Sequence, residues 1–90
     1  MTLRTSHEKP VYVRLRETIA DAILSGQFRD GDPLPSVRTV AAEYRLNPVT
    51  VLKAYQQLVD EQLVETKRGR GMFVRPDARA LLLRHPEARA

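Results

Sequence analysis

Ser36-Val37-Arg38-Thr39-Val40-Ala41-Ala42-Glu43-Tyr44-Arg45-Leu46-Asn47-Pro48-Val49-Thr50-Val51-Leu52-Lys53-Ala54-Tyr55 decides the fold, because it starts two helices with almost nothing between them. Ser36 is an N-cap residue, its hydroxyl suited to accept from an orphan amide of the first turn. At about 100° per residue, Val37, Val40, Ala41 and Tyr44 share one face of the helix that follows. Arg45-Leu46 leaves room only for a tight turn. Asn47-Pro48 then restarts a helix, with asparagine as cap and proline at the first helical position, where its missing N–H costs nothing. Val51, Ala54, Tyr55 and Leu58 make the inner face of this second helix. Val49, Lys53, Gln56 and Asp60 point the other way, flanked by Thr50 and Gln57.

Working outward, Pro10 opens an earlier helix. Val11, Tyr12, Leu15, Ile19, Ala22 and Ile23 fall on one face of it, and Gly26 is a natural stop. Arg29-Asp30-Gly31-Asp32-Pro33 is turn chemistry, and Leu34-Pro35 is too short for more than a brief extended piece. After Gln62 the period changes. Leu63-Val64-Glu65-Thr66-Lys67 and Met72-Phe73-Val74 form two short strands around a tip, Arg68-Gly69-Arg70-Gly71. The expected fold class is α+β, mainly α: a winged helix-turn-helix of three helices plus a small β-hairpin wing. It occupies 10–75, behind a flexible arm at 1–9 and ahead of a short tail at 76–90. The tail restarts as a helix capped by Asp77 that stops before Pro86. Its consecutive leucines, Leu81, Leu82 and Leu83, span too wide an arc for one small domain to bury. At least one stays exposed in a monomer, which makes the tail a candidate start of a dimerisation helix.

Composition narrows the function. Ninety residues make one small domain. Even the apolar stretch around Leu81-Leu82-Leu83 is far short of a membrane span, and Met1 to Lys9 lack the apolar centre of a signal peptide. The absence of cysteine excludes disulfides, thiolate metal sites and cysteine nucleophiles, and fits a reducing interior such as cytoplasm. His7 and His85 sit near opposite ends, leaving little material for a metal or histidine-based site. Asp30, Asp32, Asp60 and Glu61 read as turn and helix-end residues. No nucleophile–base pair or phosphate loop is present, so neither an enzyme nor a cofactor is expected.

Charge points to a partner. Residues 1–62 carry eight Lys/Arg against eight Asp/Glu, whereas residues 63–90 carry seven against three, so the net +4 lies entirely in the last 28. A basic segment on a balanced body suits a polyanion. In a helix-turn-helix the second helix enters the major groove, and its exposed N-terminal face reaches base edges. Asn47, Val49, Thr50 and Lys53 supply a cap, a thymine-methyl contact, a phosphate-seeking hydroxyl and a cation. Arg38, off the apolar face of the preceding helix, reaches phosphate or a guanine edge. Lys67, Arg68 and Arg70 crowd a tip that Gly69 and Gly71 let turn tightly, placing cations along phosphates or in the minor groove. The alternative is a winged-helix protein-interaction module without nucleic-acid affinity. The basic wing and the Arg38/Thr50/Lys53 face count against it.

Leu34-Pro35-Ser36-Val37-Arg38-Thr39-Val40-Ala41 resembles the "LPSxRxLA" segment of GntR-family bacterial transcription regulators. Asn47-Pro48-Val49-Thr50-Val51 with Ala54-Tyr55 and Leu58 resembles that family's recognition helix, closest to its YtrA branch. Arg68-Gly69-Arg70-Gly71-Met72-Phe73-Val74 is similar to its "G-x-G-x-F-V" wing. The resemblance implies a transcription regulator, most often a repressor, binding a two-fold DNA operator as a homodimer. It implies a recognition helix at 47–62 and a wing at 67–71. Its DNA-contacting set maps onto Ser36, Arg38, Asn47, Pro48, Val49, Thr50, Lys53, Lys67, Arg68, Gly69 and Arg70. Three positions depart from the pattern. Thr39 stands where many relatives have glutamate, which weakens a capping box. Arg45 replaces a usual glycine and must enter the left-handed region. Pro48 stands where members outside this branch place a base-reading arginine. The family's C-terminal effector region is short and helical in the YtrA branch and aminotransferase-like in the MocR branch. Here about fifteen residues follow Arg75 and no lysine follows Lys67, so the effector-binding region is absent or truncated and pyridoxal phosphate has no Schiff-base partner.

Overall fold

The computed structural model describes residues 9–84. Helix α1 (Val11–Ser25) begins after Pro10 and ends at Gly26, whose φ of 90° terminates it in the left-handed conformation. Helix α2 (Val37–Tyr44) starts as expected: the Thr39 N–H donates to Ser36 Oγ at 3.1 Å. The Ser36 hydroxyl in turn donates to Thr39 Oγ1 at 2.9 Å. Thr39 thus closes a side-chain link across the first turn where a glutamate would have made a capping box. Helix α3 (Pro48–Asp60) starts at Asn47, whose Oδ1 accepts from the Val49 N–H at 2.8 Å.

Between α2 and α3 only Arg45, Leu46 and Asn47 intervene. Arg45 takes the left-handed conformation (φ 56°, ψ 51°) that its glycine-like position demands. The backbone N–H groups of Arg45 and Leu46 both donate to the Ala41 carbonyl, the latter at 2.9 Å, and satisfy the end of α2. Gln62, at φ 65°, makes a second such turn that the sequence did not announce. It reverses the chain out of α3, and the Leu63 N–H returns to the Leu58 carbonyl at 3.0 Å.

Strands β1 (Val64–Lys67) and β2 (Gly71–Val74) pair antiparallel, with Val64 opposite Val74 and Lys67 opposite Gly71. The extended piece before α2 joins them. Pro33 bridges Phe73, the Leu34 N–H donates to the Met72 carbonyl at 2.8 Å, and the Val74 N–H donates to the Asp32 carbonyl at 2.8 Å. Proline suits this edge, where it need not donate to the ladder. The wing is therefore stitched at its base to the entrance of α2.

Helix α3 is the centre of the core. Val51, Ala54, Tyr55 and Leu58 are buried against Leu15, Ile19 and Ile23 of α1, with Val40, Leu63, Val64 and Val74 completing the cluster. A fourth helix, α4 (Ala78–Arg84), follows the hairpin where the tail was expected to restart after Asp77. Ala78 and Leu82 are fully buried in the same core, while Leu83 is 57% exposed. Arg79 Nε of α4 also donates to the Leu24 carbonyl at 3.0 Å, capping the end of α1.

Two positions expected on inner faces lie outside. Val11 is 39% exposed and Tyr44 is 55% exposed. Both sit at helix ends, where the phase is right but the partner helix has run out. They face each other across a shallow groove with Leu15, Thr18 and Leu46. Of the flexible arm expected at 1–9, residues 1–8 lie outside the described residues, as does the end of the tail beyond Arg84, while Lys9 is held to Glu17 of α1 at 3.0 Å.

Candidate nucleic-acid interface

The outward face of α3 follows from what its inward face is committed to. Tyr55 is 1% exposed, and its hydroxyl donates to the Pro35 carbonyl at 2.6 Å. This bond fastens α3 to the segment that delivers α2, so the two helices hold one mutual orientation. Burial, with Tyr44 adding to it, pushes the Tyr55 phenol from 10.0 up to about 12. Opposite this anchored side, Val49 is 69% exposed, and Lys53 and Gln56 also lie in solvent. Thr50 is half-buried at the flank. Leu52, which the sequence did not single out, is exposed on the same outer half of the helix.

Other expected site residues fall around this helix start. Asn47 is exposed but spends its side-chain oxygen on the α3 cap. Pro48 is exposed at the first turn, and Ser36 is committed to the α2 cap. Arg38 projects into solvent from the first turn of α2. At the wing, the Arg70 N–H donates to the Lys67 carbonyl at 2.8 Å, closing a turn over Arg68 and Gly69. Gly69 has φ 75° and Gly71 has φ 110°, values that side chains rarely adopt, so both glycines are required by the turn. Arg68 and Arg70 are exposed at the tip. The ammonium of Lys67 lies over the Phe73 ring, 4.8 Å from its centroid.

The flanks of α3 differ. On one side Leu52, Gln56, Val59 and Asp60 face Thr66 and Met72 of the hairpin across a groove. On the other side α3 meets α1, and here the structure shows what the sequence reading missed. Arg16, 4% exposed, donates from Nε to Glu61 Oε1 at 2.9 Å and pairs with it also through its terminal nitrogen. Gln57 Nε2 donates to the other Glu61 oxygen at 2.9 Å. One turn earlier, Lys53 Nζ sits over the Tyr12 ring at 4.7 Å. Glu61 is thus a structural partner. Asp32, similarly, accepts the Arg29 N–H at 2.8 Å inside its own turn. Among the described residues no cluster of His, Asp and Glu could hold a metal ion, and no helix is long and apolar enough to cross a membrane.

Two helices joined by a three-residue turn, the second buried on one face and open on the other, and a basic hairpin make this a winged helix-turn-helix domain. The chain belongs to the bacterial regulatory proteins of the gntR family, whose model matches residues 11–74. It is 39% identical over 74 residues to the HTH-type transcriptional repressor YtrA of Bacillus subtilis, covering 82% of this chain and 57% of that one. It is 33% identical over 69 residues to the repressor MngR of Escherichia coli, covering 77% of this chain and 29% of the relative. The chain spans little more than half the length of YtrA. Among solved structures, a GntR-family regulator from Listeria monocytogenes superposes with a TM-score of 0.79 at 31% identity, covering 89% of this chain and 70% of that one. A transcriptional regulator from Oenococcus oeni gives 0.82 at 30% identity, with 89% and 67% covered. These relatives are named as transcriptional regulators, and this chain is a member of their family.

Proposed function

We propose that this chain is the DNA-reading domain of a transcriptional repressor, acting in the bacterial cytoplasm as a homodimer on a two-fold operator. The observation that carries the reading is the two-sidedness of α3. Its inner face is locked by Tyr55, and its outer face presents Val49, Thr50 and Lys53 outside the buried core. In this reading the N-terminal half of α3 lies in the major groove. Val49 meets a thymine methyl, Lys53 a phosphate or base-edge acceptor, and Thr50 a phosphate. Ser36, Asn47 and Pro48 bring the two helix starts against the backbone, and Arg38 reaches beside them to phosphate or guanine. Lys67, Arg68 and Arg70, shaped by Gly69, bind the flanking phosphates or minor groove. The exposed Leu83 at the end of α4 is where a second copy would begin to pack.

Selection of duplexes from a random pool tests this directly. The expected outcome is an inverted repeat whose half-sites lie about one helical turn (roughly 34–36 Å) apart or a multiple of it. Enrichment of no site, even at low salt, would overturn the reading and favour a protein-interaction module.

A further inference from the structure

The chain has three lysines, and their partners divide by place. Lys9 pairs with the Glu17 carboxylate at 3.0 Å. Lys53 and Lys67, both in the candidate interface, rest on aromatic rings instead, at 4.7 Å from Tyr12 and 4.8 Å from Phe73. The distinction has electrostatic content. A carboxylate partner cancels the cation's field toward a polyanion, whereas a ring face holds the ammonium through its quadrupole and leaves the net charge intact. A ring under lysine therefore restricts the side chain without disarming it.

The placement of Tyr12 is built by the helix pair. Tyr12 and Arg16 are four apart on α1, and Lys53 and Gln57 of α3 and its C-cap Glu61 are successively four apart, so each set forms one row. The Arg16–Glu61 pair fixes the register between the rows at one end. That register sets Tyr12, half-buried and packed on the core, beneath Lys53 at the other end, next to the open face of α3.

We propose that Tyr12 is a positioning residue for DNA recognition: its ring holds the Lys53 ammonium at the edge of the outer face of α3, poised for a phosphate or base-edge acceptor. The inference rests on the reading that this face meets DNA. Its gain is a smaller loss of side-chain freedom on binding, since lysine is among the most flexible side chains.

The test is a double-mutant cycle on binding to the selected operator, with thermal melting of every variant. Tyr12→Leu should weaken binding about 3- to 10-fold, and Tyr12→Phe, which keeps the ring, should stay within about twofold of the original. In a Lys53→Ala background, Tyr12→Leu should add nothing. Equal losses from Tyr12→Leu in both backgrounds, or a Phe variant as weak as the Leu variant, would overturn the proposal. If Lys53→Ala binds DNA unchanged while remaining folded, the assignment of the α3 face is what fails. Should Tyr12→Leu melt below the assay temperature, the unmutated chain decides by NMR. The ε-methylene protons of Lys53 should be shifted upfield by the Tyr12 ring current, and ordinary shifts there would overturn the proposal.

Discussion

The outer face of α3 and the tip of the hairpin both carry exposed cations, yet they are built in opposite ways. What aims Lys53 is tertiary contact between segments: Tyr12 beneath it, the Arg16–Glu61–Gln57 network further along the same row, and the Tyr55 bond to Pro35 on the far side. What shapes Arg68 and Arg70 is local, a turn closed by one backbone bond and two left-handed glycines. Tertiary packing therefore presents the helix cation, and turn geometry presents the wing cations. Substitutions near the first should couple stability to binding. Substitutions in the second should change electrostatics alone.

The largest expected effect lies under α3. Tyr55→Ala removes a fully buried ring and the bond to Pro35, and should cost about 3–5 kcal/mol. A domain this small has little more than that to lose, so it should be largely unfolded in a chemical-denaturation series. Tyr55→Phe keeps the ring and loses only the hydroxyl bond, at about 1 kcal/mol. The same pair of variants carries a pH signature. Because burial raises the folded phenol to about 12 against 10.0 for an ordinary tyrosine, the folded chain keeps a proton that the unfolded chain gives up. The associated stability is whole below pH 10 and is lost as pH rises through 12. Urea midpoints at pH 9 and pH 11 should therefore fall further apart for the unmutated chain than for Tyr55→Phe. Equal differences would mean that Tyr55 is not buried as described, and that α3 is aimed by something else.

The seam between α1 and α3 comes next. Glu61→Ala takes the carboxylate from an arginine that is only 4% exposed, and should cost about 1–3 kcal/mol, tempered by the partial exposure of Glu61 itself. Replacing both partners, Arg16→Met with Glu61→Leu, should cost less than Glu61→Ala alone, because the buried guanidinium is then removed together with its carboxylate. If the seam sets the register that places Tyr12 under Lys53, Glu61→Ala should also weaken operator binding from a site at the far end of the helix. Unchanged affinity in the fraction that remains folded would sever the seam from the interface.

The same contrast explains what could be read from the sequence. Ser36, Asn47-Pro48 and Gly69/Gly71 declare caps and turns by local chemistry, and all of them stand where that chemistry puts them. The left-handed Arg45 was legible through the resemblance, as a residue standing where the family usually has glycine. Arg16 was not legible. It follows Leu15 on a helix whose apolar period already accounts for the core, and its pairing with Glu61 reaches forty-five positions along the chain. Tyr12 was placed correctly toward the interior, but its contact with Lys53 depends on how two helices cross, which no periodicity encodes. Tyr44 errs the other way: its phase is internal, and the end of the helix exposes it.

The smallest expected effect on stability, and the sharpest test of the contrast, is at the wing tip. Arg70 is exposed, its backbone N–H closes the turn, and alanine there leaves that bond intact. Arg70→Ala should therefore shift stability by no more than about 0.5 kcal/mol, as surface substitutions generally do. In the proposed reading its effect is on DNA binding. One phosphate contact fewer releases about one counterion fewer, so the plot of log affinity against log salt should become shallower by about one unit. Operator and random duplex should weaken by similar factors, because a phosphate contact carries no sequence information. Lys53→Ala provides the counterpart, with a loss concentrated on the operator if its acceptor is a base edge. Should Arg70→Ala instead spare random DNA and weaken only the operator, the tip reads the minor groove. The wing would then specify sequence as the helix does, and the two constructions would share one task.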